Sequence, residues 1–183
     1  MIKAIFKVIA ALLIASTLIG CFKSPIAKSG GKLGGFVESF YSSKGDMYYV
    51  KPILFESTEG TFLHADFTYT NYKEEPEKPV LLKFSLFNEK PINDIGAIDF
   101  SGITTCDNLE FFFHGKAKKG VESRYSCELC KNCYREFVNQ SEPYISIIIA
   151  GNEMKFTSSS KWKKYQKQVN TNLFDLTDLY TVD

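Results

Sequence analysis

The residues best suited to chemistry in this chain are four cysteines, Cys106, Cys127, Cys130 and Cys133, the last three in a Cys-x2-Cys-x2-Cys run. In an oxidising compartment an even set of thiols pairs off, so the expectation is two structural disulfides. Each other use lacks a part. An iron–sulfur loop would need a fourth cysteine and a proline beyond Cys133. A zinc site would need Cys106 as its fourth ligand, and exported thiolates usually oxidise. A thiol oxidoreductase built on Cys127 and Cys130 would need a βαβ unit beside the pair, and none is read. Haem attachment requires histidine after the second cysteine, where Lys131 and Tyr134 stand.

The two histidines are His64 and His114. A hydrolase using His64 would need a serine on a Gly-x-Ser-x-Gly elbow, and no such elbow precedes a helix. Both are therefore read as surface or loop-edge residues. Glu74 and Glu75 lie beside Pro76 and Pro79 in a solvated turn. No phosphate-binding glycine loop is present. No catalytic residue, metal ligand or cofactor is assigned. Two basic runs remain. Lys116, Lys118 and Lys119 occupy one loop and form a candidate contact for an acidic partner. Lys161, Lys163, Lys164 and Lys167 read as the solvated face of a helix whose Trp162 is in the core.

The elements that position these groups are mostly strands. Residues 61–70 alternate, with Leu63, Ala65, Phe67 and Tyr69 on a dry face and His64, Asp66, Thr68 and Thr70 on a wet one. Residues 80–87 repeat the pattern through Val80, Leu82, Phe84 and Leu86. Residues 47–56 are β-rich, but Pro52 lacks a backbone donor and favours an edge or a bulge. Segments 109–114 and 121–127 flank a loop at 115–120. Segments 144–150 and 153–158 flank Gly151-Asn152, a two-residue hairpin signal. Ile145, Ile147, Ile148 and Ile149 suggest a strand dry on both faces. Core positions are expected at Leu82, Phe84, Leu86, Phe111, Ile147 and Ile149. Ser160 is placed to cap a helix over 161–169 with Trp162, Tyr165 and Val169 on one side. Another turn or two fits within 128–138, and the tail from 172 is ambiguous.

Short strands between polar turns fit an antiparallel β-sandwich or small barrel with one or two short helices. The sandwich is preferred, because strand lengths vary and Pro52 implies an open edge; an immunoglobulin-like label would be architectural only. If the 115–120 hairpin centres near residue 118, Cys106 lies opposite Cys130, leaving Cys127 for Cys133. A register slip of three would bring Cys127 or Cys133 to Cys106 instead.

The first twenty residues differ from the rest. Lys3 and Lys7 precede an apolar run from Val8 to Ile19, broken by Ser16 and Thr17, and no acidic residue occurs before Glu38. This reads as a secretory signal, too short to favour a permanent membrane span of about 20 apolar residues. The run ends Leu18-Ile19-Gly20-Cys21, which resembles the lipobox of bacterial lipoproteins. The resemblance covers residues 1–21 only. It implies cleavage before Cys21, diacylglycerol on its sulfur and an acyl chain, such as palmitate, on the new amine. Phe22 rather than Asp follows, which by resemblance to enterobacterial sorting favours the outer membrane, facing the periplasm. Residues 22–35, with four glycines, read as a flexible tether.

Residues 36–183 are then one β-rich domain, within a mature chain of about 160 residues. Cleavage leaves 20 basic against 21 acidic residues, which excludes the basic surface of a nucleic-acid binder. The sixteen Phe and ten Tyr supply core area in few side chains. The expected function is a lipid-anchored, non-catalytic cell-envelope domain that binds a protein. A more specific version is an inhibitor or immunity protein against a toxic periplasmic enzyme. The competing class is an envelope hydrolase or thiol oxidoreductase. Mass spectrometry of the membrane fraction should find residues 1–20 absent and Cys21 lipidated. A mature N-terminus elsewhere, or a bare Cys21, would end the lipoprotein reading.

Overall fold

A computed structural model describes residues 28–32, 35–118 and 120–179. The proposed signal, Cys21 and Lys119 lie outside the described residues. In chain order the elements are β1 (Lys28–Lys32), β2 (Val37–Ser42), β3 (Gly45–Ser57), β4 (Phe62–Tyr72) and β5 (Val80–Asn88). Then come β6 (Ile95–Phe100), β7 (Thr104–Cys106), β8 (Glu110–Lys116), β9 (Val121–Leu129) and helix α1 (Lys131–Val138). Last are β10 (Tyr144–Ile149), β11 (Asn152–Ser158), α2 (Trp162–Val169), a π-helical turn (Asn170–Phe174) and α3 (Asp175–Leu179). β1 falls inside the segment expected to be tether. Its glycines still carry the backbone donors and acceptors that a strand needs, and it pairs with β2.

The fold is mainly β, and every ladder is antiparallel. The strands join in one sheet ordered β7-β6-β10-β11-β3-β4-β5-β9-β8, curled into a half-barrel, with β2 and β1 branching from β3. Among the described residues all strands belong to this one sheet rather than to two facing ones. Pro52, read as implying an open edge, lies within the central strand β3. One edge of β3 pairs with β4 along its length, with a register break between Val50 and Ile53. The other edge is shared: β2 takes residues 45–50 and β11 takes residues 55–57. Pro52 sits in the break between them, where no ladder donor is needed. The backbone N–H of Lys51 donates instead to Phe36 O at 2.8 Å. The proline thus marks a bulge where the sheet forks.

The alternation in β4 and β5 sorts as expected on the dry side: Leu63, Ala65, Phe67, Tyr69, Val80, Leu82, Phe84 and Leu86 are all buried. The concave face is filled by rings from the helices. Phe67 lies 4.5 Å from Tyr134, Phe55 lies 5.8 Å from Trp162, and Phe100 lies 5.5 Å from Phe137, centroid to centroid. Trp162, Tyr165 and Val169 share the buried side of α2, as their spacing predicts. The polar tips are met: Trp162 Nε1 donates to Gln140 O at 2.9 Å, and the Tyr134 and Tyr165 hydroxyls are 3.2 Å apart. Ser160 is not the cap; Lys161 holds that position without a side-chain bond. The ambiguous tail is helical through Leu179, where its described part ends, and is held by Arg135, which forks onto Asp178 at 2.6 and 2.9 Å with its guanidinium over Phe174.

Three other expectations are corrected. Phe111 is 53% exposed, because β8 lies beyond the helices that cover the middle of the sheet. Of the β10 isoleucines, Ile145 and Ile147 are buried, Ile149 is half-buried and Ile148 is exposed, so that strand has one dry face. The hairpin turns at Ala150-Gly151, one residue early, and Ile149 pairs with Asn152. Both turn residues have positive φ, 49° and 78°, the backbone a tight antiparallel turn requires.

Candidate functional site

The face of β4, β5 and β9 opposite the helices carries a polar network. The Arg124 guanidinium donates to Asp66 Oδ2 at 2.7 Å and to Ser85 Oγ at 2.9 Å. The Ser85 hydroxyl donates to Glu122 Oε1 at 2.6 Å. Cross-strand register assembles the set, since His64 faces Ser85 and Ser85 faces Arg124. Asp66, expected on a wet face, is only 2% exposed. Burial pushes its carboxyl above the usual range, while the bond and charge of Arg124 pull it back down. Burial likewise lowers His64, with Glu122 acting in the opposite sense. The His64 ring stacks edge-on to Phe87 at 5.0 Å. The arrangement differs from a hydrolytic triad. The Ser85 proton is directed at a carboxylate, and Ser85 is almost completely buried.

His114 has a positioning role. Its Nδ1 is 3.0 Å from Ser123 Oγ and its Nε2 is 2.6 Å from Asn93 Oδ1. Ser123 Oγ also accepts the backbone N–H of Ile92, and the Tyr125 hydroxyl donates to Ile92 O. Segment 89–94 is thereby fastened across β8 and β9. At the far end of that hairpin a Cβ on Gly120 would meet Asn88 O at 2.1 Å. Glycine is required there for the turn to close against β5.

The first-choice pairing, Cys106 with Cys130 and Cys127 with Cys133, is not seen. Cys130 is bonded to Cys133, and Cys106 shares a cleft with Cys127, one of the two partners that a register slip of three would bring to it, with no bond between them. The β8–β9 register does centre near residue 118, with Glu110 opposite Ser126 and Phe111 opposite Tyr125. The ladder does not reach the cysteines, however. β8 starts at Glu110, Cys106 belongs to β7 at the opposite end of the sheet path, and Cys130 has already left β9 to cap α1. Among the described residues no group of three or more His, Cys, Asp or Glu side chains is placed to hold a metal ion.

β8 is the longest strand ending the sheet path. Among the described residues it pairs only with β9, which leaves its outer backbone edge open. Along it Phe111, Phe112 and Phe113 are 53, 48 and 44% exposed. A bulge between Phe111 and Phe113 sends Phe112 to the polar-network face, where Lys83 Nζ lies 5.3 Å from its ring centre. Phe111 turns the other way, onto Tyr125 and His114. Lys116 ends the strand and Lys118 follows it, both exposed. The predicted basic loop is thus one end of an aromatic edge. The triple phenylalanine was the available signal, since it breaks the two-residue alternation in a segment read as strand. No protein-family model, curated protein or solved structure matches the chain.

The network makes a signed prediction. Because the folded-state pKa of Asp66 is raised, the stability its neutral form contributes is present below the ordinary carboxylate value and is lost as pH rises through the folded value. Arg124 limits that loss. Arg124→Met should therefore cost little near pH 4 and about 3 kcal/mol near pH 7, the low end for a broken buried pair because the guanidinium is partly exposed. Urea unfolding at the two pH values measures this; an equal cost at both would contradict the assignment.

Proposed function

We propose that the chain is a lipid-anchored protein of the bacterial cell envelope whose domain binds a partner protein by accepting a strand along β8. The anchor reading rests on residues 1–21, and Phe22 favours the outer membrane with the domain in the periplasm. The docking reading rests on one observation, the open edge of β8 with three exposed phenylalanines. Unpaired backbone on an edge strand accepts an extended segment, and side-chain pockets beside it choose which one. Aromatic rings anchor interfaces because they bury large area with few rotamers to fix. The proposed occupant is an extended segment with apolar residues for the rings and acidic ones for Lys83, Lys116 and Lys118. A second copy of the chain fits less well. The bulge at Phe112 and the terminal lysine disfavour pairing of two β8 edges along their length. In this reading the domain works by contact, and the polar network and His114 keep the edge in place.

Immobilised full-length protein should retain one stoichiometric partner from an envelope extract. Phe112→Asp should weaken that partner at least about tenfold, roughly 1.4 kcal/mol. Reversing Lys116 and Lys118 to Glu should weaken it and flatten its salt dependence. Both variants should keep the far-ultraviolet spectrum of the parent, since none of these side chains is in the core. Undiminished binding by both folded variants would place the interface elsewhere.

A further inference from the structure

Cys127 on β9 and Cys106 at the end of β7 lie beside the Glu110 end of β8, apart from the polar network. Cys127 points into the core at 3% exposure, and Cys106 is half-buried at the mouth of a cleft of about 620 Å³. Leu81, Thr105, Asp107, Leu109 and Glu128 line that cleft with them. Cys106 Sγ lies 3.1 Å from Glu128 O, which brings the end of β7 against β9 although the two strands share no ladder. The Cys127 thiol acts on the acidity of Cys106 as a hydrogen-bond donor would. Cys106 is half-open to solvent, and Cys127 is nearly closed off from it.

We propose that Cys106 and Cys127 form a reversible disulfide that staples β7 to β9, made by exchange with a small disulfide entering the cleft. The Cys106 thiolate attacks one sulfur of the incoming disulfide. That S–S bond breaks, one external thiol leaves with a proton, and a mixed disulfide remains on Cys106. Cys127 then gives its proton to solvent and attacks Cys106 Sγ, expelling the second external thiol. The external disulfide is reduced to two thiols, and the two cysteines are oxidised to one bond. The order of attack follows from access and from acidity. The Cys127 thiol lowers the Cys106 thiol, while the same interaction and burial push Cys127 up, so Cys106 ionises first. The staple would lock the strand that leads through residues 107–109 into β8. The exchange chemistry itself does not depend on the docking proposal.

The test uses the full chain, reduced under native conditions, exposed to oxidised glutathione, alkylated and mapped by peptide mass spectrometry. The wild type should give a linked Cys106–Cys127 peptide that dithiothreitol reopens. Cys127→Ser should instead accumulate glutathione on Cys106, and Cys106→Ser should leave Cys127 unmodified and slow to alkylate. Two alkylated thiols at positions 106 and 127 in the wild type at saturating glutathione disulfide would overturn the proposal. So would a bond from either one to Cys130 or Cys133. The wild-type map decides the matter even if a serine variant fails to fold.

Discussion

A sheet that curls must fill its concave face, and here the bulkiest side chains that fill it are aromatic. Tyr134 and Phe137 from α1, Trp162 from α2, and Phe174 from the following turn meet Phe55, Phe67, Tyr69 and Phe100 on the strands, while Tyr165 packs on Trp162 and Phe36. Each ring removes a large apolar area from water, about 2–3 kcal/mol per fully buried side chain. The rings also carry polar tips, and those tips explain the connections. Trp162 is tied to the segment after α1 through Gln140, and the Tyr134–Tyr165 pair ties α1 to α2. The helices therefore close on the sheet as one unit, and the fork at Pro52 lets β3 serve two strands on one side while it faces that unit.

The filling is local, and its limits define the surface. It covers β3, β4 and the adjacent parts of β5 and β6. β9 is covered at one end by segment 89–94 instead, and β8 lies past both. The phenylalanines of β8 consequently stay largely exposed, with Tyr125 and His114 against Phe111 and Lys83 over Phe112. On the opposite face of the sheet, Asp66 and Arg124 fasten β4 to β9 across β5. That pairing makes the strand next to β8 firm and leaves β8 itself on a rigid support with an open edge. Exposed aromatics on an edge strand beside a well-held one are the physical basis of the docking proposal.

Much of the centre was legible in the residues. Strict alternation in β4 and β5 reports a strand with one dry face, and the dry residues are those named. Spacings of three and four among Trp162, Tyr165 and Val169 report a helix side. What was hidden depends on distant partners. Asp66 reads as solvated because Arg124 is 58 residues away, and only register brings them together. The first-choice cysteine pairing was missed because a correct hairpin register was extended beyond the ends of its strands, whereas Cys127, the neighbour that a register slip of three would give Cys106, is the one found beside it. Phe111 looked like core because hydrophobicity says nothing about how far the covering helices reach. Pro52 was read correctly as a bulge or an edge, but local sequence does not tell that a bulge lies at the centre of a fork.

The central claim is that the aromatic filling stabilises the middle of the sheet and leaves β8 outside the cooperative core, free to pair. Native-state hydrogen exchange on the full chain tests this directly, strand by strand. The account predicts the slowest exchange in β3, β4 and β5, approaching the free energy of global unfolding, with β8 amides exchanging much faster through local opening. Protection of β8 equal to that of β4 would contradict it, since a strand that opens only with the whole domain is not an edge waiting for a partner.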